Sequence, residues 1–150
     1  MQRLGCIAGI VLALLIVFIF GIYVVSVVES DMAAKATMED IKSVPLPEGA
    51  ELVDEIYVAG KLVGNGNGAQ YFGAILVESD MELYEIDGYY NTYRKDEWDY
   101  IVKEQLGFEI DVIEHGSYSF DAEMNEGRHY IVYSWGDKDT IFADWDIRSH

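Results

Sequence analysis

Hydrophobic residues fill the first part of the chain without interruption and become periodic only later, which divides the chain into two unlike parts. Positions 4–28 contain no charged residue, and seventeen of them are Leu, Ile, Val or Phe. At about 1.5 Å per residue this run forms a helix roughly 37 Å long, which exceeds the hydrocarbon core of about 30 Å. The pattern predicts a transmembrane helix over residues 4–28.

A cleaved secretory signal is the alternative interpretation of this run. Signal sequences have a hydrophobic core of about 7 to 15 residues followed closely by a small-residue cleavage site. Here the run is longer, and the nearest such site, Ala34 and Ala36, lies well beyond its end. We therefore expect an uncleaved anchor.

Charges on either side of the run predict its orientation. Arg3 precedes it, whereas Glu29 and Asp31 follow it. By the positive-inside rule, residues 1–3 are cytoplasmic and the C-terminal domain is extracytoplasmic.

Small residues on the predicted helix recur every fourth position, at Gly5, Gly9 and Ala13. Such spacing lets two membrane helices approach closely, so weak helix dimerisation is one interpretation. The other is that Gly and Ala are simply common in membrane helices.

Residues 29–47 are mostly polar and predict a stalk, or else a continuation of the membrane helix. Pro45 and Pro47 end any such helix, because proline lacks an amide hydrogen and disfavours helical conformation in the residue before it. Residues 48–150 are then long enough for one domain with one core.

The first half of this domain predicts a hairpin and a helix. Two apolar-patterned segments, 51–63 and 71–77, flank the glycine- and asparagine-rich segment 64–68, which predicts a tight turn. A phosphate-binding loop is not expected there, because a strand and not a helix follows it. Ser79 and Glu82 have capping-box spacing and predict a helix that ends near Lys95.

The second half predicts further strands. Alternating apolar residues indicate strands at 98–102, 108–120 and 129–135, and residues 141–147 predict a short edge strand. A continued helix over 98–104 is the alternative for the first of these. The order β-β-α-β-β-β predicts an α+β domain with an antiparallel sheet and one packed helix.

Charge excludes some partners. All 27 acidic residues follow the apolar run, together with nine basic residues, so the chain after the run carries a net charge of about −18. Such a field repels nucleic acid and anionic lipid head groups, and it attracts cations or a basic protein surface. Solubility alone is the simpler explanation of the charge.

The segments GNGNGAQYFGAILVES, YRKDEW and DWDIRSH, with a tyrosine-rich helix between the first two, resemble a group of small, uncharacterised membrane-anchored proteins of Gram-positive bacteria. The resemblance covers about residues 45–150. It implies an exported location and a small α+β fold, and it supplies no catalytic residue.

Candidate chemistry in the domain is sparse. The only cysteine, Cys6, lies in the apolar run, so the domain has no thiol nucleophile. The acidic cluster near the C-terminus lacks the glycine and the closing glutamate of a calcium loop, so we interpret it as a solvated face; it comprises Asp137, Asp139, Asp144 and Asp146. The three histidines have no metal-ligand spacing, although His115 lies near Asp111 and Glu114; the other two are His129 and His150.

Aromatic residues are abundant and allow two interpretations. They form an exposed binding strip, or most of them belong to the core and its boundary; they are Tyr89, Tyr90, Tyr93, Tyr100, Tyr130, Tyr133 and Trp135. We assign no catalytic, cofactor or metal residue from the sequence. The leading hypothesis is a noncatalytic, membrane-tethered module that binds or assists a protein partner at the cell surface.

Two other functions stay open. A carboxylate-dependent cell-envelope hydrolase predicts carboxyl groups with raised pKa values around one concave pocket. A divalent-cation sensor predicts a cluster of oxygen ligands.

Overall fold

A computed structural model describes residues 2–66, 68–124, 126–136 and 145–149. The chain forms a long N-terminal helix, α1 (Gln2–Ser43), followed by a small α+β domain. The domain contains β1 (Glu51–Gly60), β2 (Gln70–Glu78), α2 (Leu83–Asn91), β3 (Ile101–Glu104), β4 (His129–Gly136) and a 3₁₀ helix (Ile147–Ser149). The predicted fold class, an apolar N-terminal helix followed by an antiparallel sheet and one helix, is confirmed.

The sheet has the strand order β1-β2-β4-β3, and all neighbouring strands are antiparallel. Ile75 at its centre lies opposite Glu55 on one side and Val132 on the other. A bulge interrupts β1 between Leu52 and Asp54.

Helix α1 combines two different surfaces in one continuous element. Its N-terminal half is apolar and exposed, and by length and composition it can cross a membrane. Its C-terminal half covers one face of the sheet, where Ala34, Met38 and Ile41 are buried. Residues 29–43, for which a stalk was one interpretation, are therefore helical, and several of their side chains belong to the core of the domain.

Alternation along β2 divides the core between the two faces of the sheet. Ile75 and Val77 pack under α1 and α2, together with Tyr130 and Val132 of β4. Phe72, Ala74 and Leu76 point to the opposite face, which is covered by the chain between β3 and β4 through Ile110, Ile113 and Phe120.

The segment 108–120 is not the strand that its alternating residues predict. It is a loop with a single bridge between Glu109 and Ser119. Its apolar side chains pack onto the sheet face without joining the hydrogen-bonded ladder. The sheet within the described residues therefore has four strands instead of five, and the predicted edge strand at 141–147 lies mostly outside those residues.

Helix α2 is shorter than predicted and begins later. Its capping box joins Glu82 and Glu85, whereas the Ser79 hydroxyl accepts a hydrogen bond from the Met81 amide. Ile86 and Tyr90 form its buried face, and Tyr93 lies beyond its end.

Candidate ligand-binding cleft

A cleft of about 520 Å³ opens where α1, the loop after α2 and the end of β4 meet. Asp40 comes from α1, Asp96 and Asp99 come from the loop, and Trp135 comes from β4. The remaining lining residues are Ala36, Thr37, Lys95, Trp98, Ser134 and Gly136. Two tryptophans, three aspartates and one lysine therefore line the cleft.

The approach of α1 to β4 depends on Gly136. A β-carbon at this position would lie 2.3 Å from Oγ1 of Thr37, a distance that real side chains do not adopt. Glycine at the end of β4 thus lets the helix form one wall of the cleft.

The loop wall is attached to β4 by two hydrogen bonds. The Trp135 amide donates to the Trp98 carbonyl at 3.1 Å, and the Tyr100 amide donates to the buried Ser134 hydroxyl at 2.8 Å. Arg94 supports the loop from within, since its side chain donates to the carbonyls of Asp99 and Tyr100. These contacts fix the position of both tryptophans.

Tyr100 has a strained backbone at the junction of loop and strand. Its φ of 49° is the only positive value among non-glycine residues in the described part of the chain. For an L-residue with a bulky side chain this conformation costs free energy, and it persists only where surrounding contacts enforce it. The buried ring and the bond to Ser134 are such contacts.

The carboxylates of the cleft differ in their partners. The Tyr100 hydroxyl donates a short hydrogen bond to Oδ2 of Asp40, and Nζ of Lys95 lies 3.3 Å from Oδ1. Among the described residues, Asp99 has no such side-chain partner. Partial burial raises the pKa of its carboxyl group above the ordinary value, although backbone amides of Lys95 and Asp96 oppose the change. Burial and the neighbouring Asp40 likewise raise the pKa of the Tyr100 hydroxyl.

A second, more apolar cleft of about 320 Å³ continues from the first. It shares Trp98, Trp135 and Gly136 and extends towards Val63 and Tyr71. Trp135 lines both clefts, and its ring packs against Phe72 with ring centroids 5.0 Å apart. The combined groove has an acidic end and an apolar end with tryptophan between them.

The expected aromatic strip is mostly core. Tyr90, Tyr100, Tyr130 and Tyr133 are buried, and Tyr89 and Tyr93 pack against each other at the surface. Of the aromatic residues in this expected strip, only Trp135 lines the cleft. Trp98 was interpreted as a strand residue, although its acidic neighbours in KDEWD are a signal for an exposed loop.

His115 and His129, two of the histidines considered as metal ligands, contact backbone carbonyl groups through a ring nitrogen. A ring nitrogen of His115 lies 2.7 Å from the Gly64 carbonyl, and the Glu114 carboxylate accepts from the Gly64 amide. His129 is buried with its Nδ1 3.0 Å from the Gly127 carbonyl, whereas His150 lies outside the described residues. Within the described ranges, no three acidic, histidine or cysteine side chains are arranged to hold a metal ion.

The C-terminal acidic cluster is described only at Asp146. Its carboxylate is buried and accepts hydrogen bonds from Arg148, whereas Asp137, Asp139 and Asp144 lie outside the described residues. Asp146 therefore belongs to an ion pair and not to a solvated face.

Comparisons of the chain with protein-family models, with curated proteins and with solved structures give no match.

Proposed function

We propose that this chain is a membrane-tethered, extracytoplasmic binding module that is noncatalytic and captures a cationic segment of a protein partner. The observation that carries this proposal is the cleft that Trp98 and Trp135 line together with Asp40, Asp96 and Asp99. The N-terminal half of α1 is the anchor, and Arg3 before it favours a cytoplasmic N-terminus.

The packing of α1 favours an anchor over a cleaved signal. Cleavage at the small-residue site would separate Ala33 and Ala34 from the domain, yet both are buried against Ala59 and Tyr71. A signal sequence is dispensable to the mature fold, whereas this helix contributes directly to its core.

The chemistry of the cleft fits an ammonium or guanidinium group. Three carboxylates outnumber the single Lys95, and the strongly acidic domain adds a favourable long-range field. Tryptophan faces attract cations by about 0.5 to 1 kcal/mol at exposed sites. The apolar extension beyond Trp135 suits the side chains that flank a basic residue in a peptide.

A carboxylate-dependent hydrolase is the second candidate, and the raised pKa of Asp99 favours it. General acid–base catalysis needs a second free carboxyl group nearby. Both oxygens of Asp40 are already engaged, by Tyr100 and Lys95. Asp96 accepts a hydrogen bond from the Trp98 amide. These contacts favour binding over catalysis. Turnover in a broad hydrolase screen that disappears in Asp99→Asn but not in Glu97→Gln would replace the binding proposal.

The binding proposal is tested with the full chain in lipid nanodiscs and a peptide rich in Arg and Lys. Tryptophan fluorescence reports the binding, because two of the three tryptophans line the cleft. We expect Asp99→Asn or Trp98→Ala to weaken the affinity by up to about fivefold each, which corresponds to about 1 kcal/mol. Added salt should weaken binding as well.

Glu97→Gln is the matched control, since it removes the same charge from an exposed neighbour that does not line the cleft. A peptide of equal length with Gln in place of Arg and Lys controls for nonspecific contact. Equal losses in Asp99→Asn and Glu97→Gln would mean that only the general acidity of the domain attracts the peptide, and would refute the cleft as the site.

A further inference from the structure

The C-terminal segment, residues 145–149, lies against the apolar half of α1 and forms a crevice with it. The crevice has a volume of about 480 Å³ and is lined by Trp145 and Ile147 together with Ile16, Ile19, Phe20 and Tyr23 of the helix. No lining residue is charged. Trp145 and Ile147 are 57% and 65% exposed, so the domain itself does not cover them.

Arg148 binds this segment to α1 at residues 27–31, next to the crevice. Its guanidinium group binds the Asp31 carboxylate at 2.8 Å and donates to the Val27 carbonyl at 3.2 Å. Its Nε and Nη2 atoms also donate hydrogen bonds to the buried Asp146 carboxylate. Hydrogen bonds from the amides of Lys61 and Gly68 hold the backbone of residues 148 and 149 against the domain.

Polar and apolar side chains of the segment are therefore separated along the axis of α1. The Arg148 contacts lie at residues 27–31 of the helix, and the apolar contacts lie at residues 16–23. With a rise of about 1.5 Å per residue, the centres of the two levels are roughly 14 Å apart. This order matches the transition from water to hydrocarbon.

We propose that Trp145 and Ile147 are embedded in the acyl-chain region of the bilayer leaflet on the domain side, with a lipid acyl chain in the crevice. The inference rests on the proposed membrane anchor, because the crevice is continuous with the exposed apolar surface of that helix. The domain thus contacts the membrane twice, once through α1 and once through its C-terminal segment. A lipid is the occupant because the crevice lies at the depth of the apolar run.

The test measures the depth of Trp145 in vesicles. The full chain with Trp98→Phe and Trp135→Phe is reconstituted in phosphatidylcholine that carries bromine along its acyl chains. Bromine quenches tryptophan only on close contact, so we expect Trp145 to lose at least about half of its emission within the hydrocarbon core. The matched control keeps only Trp98, which lies at the cleft, and should lose little.

Flotation of the same vesicles separates the two proposals. A chain that floats but whose Trp145 is quenched no more than Trp98 overturns this inference and leaves the anchor intact. A chain that fails to float overturns the anchor and the inference together. Trp145 emission that bromine does not quench, but whose wavelength shifts with the protein-to-lipid ratio, would indicate that a second copy of the chain fills the crevice. This result would also refute the proposed lipid occupant.

Discussion

Helix α1 lies directly on the backbone of β2, and the contact is made at Gly73 and Met38. A β-carbon built on Gly73 would be 2.3 Å from the backbone nitrogen of Met38 and 2.7 Å from its α-carbon. Because these are backbone atoms, no rotation of a side chain can relieve the overlap. The separation between helix and sheet is thus set by the absence of a side chain at one position in the central part of the sheet.

Gly73→Ala should therefore destabilise the domain by about 2 kcal/mol or more, since overpacking forces the helix away from the sheet. Gly88→Ala in α2 is the matched control, because a β-carbon there meets nothing within 4 Å. It should be neutral or stabilise by up to about 1 kcal/mol through helix propensity. Urea unfolding of the full chain in detergent micelles, followed by tryptophan fluorescence, measures both. Similar midpoints for the two variants would contradict the close packing.

Removal of α1 should prevent the domain from folding. A chain that begins at residue 45 lacks Met38 and Ile41, which are almost completely buried, whereas a chain that begins at residue 29 keeps them. Loss of one buried side chain of this size costs about 2 to 5 kcal/mol, so loss of several exceeds the stability of a typical domain. We expect dispersed amide resonances in an NMR spectrum of the longer chain only. A folded domain from residue 45 onwards would show that the helix is accessory.

Asp99→Asn should stabilise the folded chain at neutral pH, in opposition to its effect on binding. Burial raises the pKa of this carboxyl group in the folded state, so the native protein holds the proton more tightly than the unfolded chain. Stability therefore falls as the pH rises from below about 3.9 through the raised pKa, and the amide removes this loss. The difference in unfolding temperature between variant and parent should be small at acidic pH and grow towards pH 7. A constant difference at every pH would contradict the assignment to Asp99.

Arg148→Gln should destabilise the chain, because it leaves the Asp146 carboxylate buried without its partner. Burial alone would raise the pKa of Asp146, yet the hydrogen bonds from Arg148 outweigh it and lower this pKa. The pair therefore stabilises the fold above about pH 3.9, and its contribution is lost as the pH falls through the lowered pKa.

We expect a cost of about 3 kcal/mol for Arg148→Gln at neutral pH. The double variant with Asp146→Asn should recover part of it, since an amide leaves no unpaired charge. Urea unfolding of the single and double variants measures the coupling. Additive losses would indicate that the two side chains act independently.

The outline of this fold could be predicted from sequence because its strongest signals are local. The apolar run, the glycine-rich turn and the alternation in β2 and β4 each depend on neighbouring residues. The segment 108–120 shows the limit of that reasoning. Its alternating residues, among them Ile110 and Phe120, do reach the sheet face, but as a covering loop. The alternation indicates which side chains are buried, but it does not indicate whether the backbone hydrogen-bonds to a neighbouring strand.

The cleft could not be predicted in the same way. Its walls come from residue 40, residues 95–99 and residues 134–136, which are brought together only when α1 crosses the sheet. Tyr100, two residues after Trp98, has a positive φ, a backbone conformation for which an aromatic residue gives no signal in the sequence. Even the helix start differed, because Glu82 and not Ser79 became its cap.

For the proposed membrane anchor, the continuity of α1 couples the orientation of the helix in the bilayer to the position of the cleft. Asp40 lies twelve residues beyond Val28, the end of the apolar run, so the cleft stands about 18 Å from that point along the helix axis. A membrane helix tilts when its apolar length exceeds the local thickness of the bilayer, typically by about 20°. With no hinge between them, the same tilt displaces the cleft sideways by roughly 6 Å. Bilayer thickness would then help to determine which surface the cleft faces.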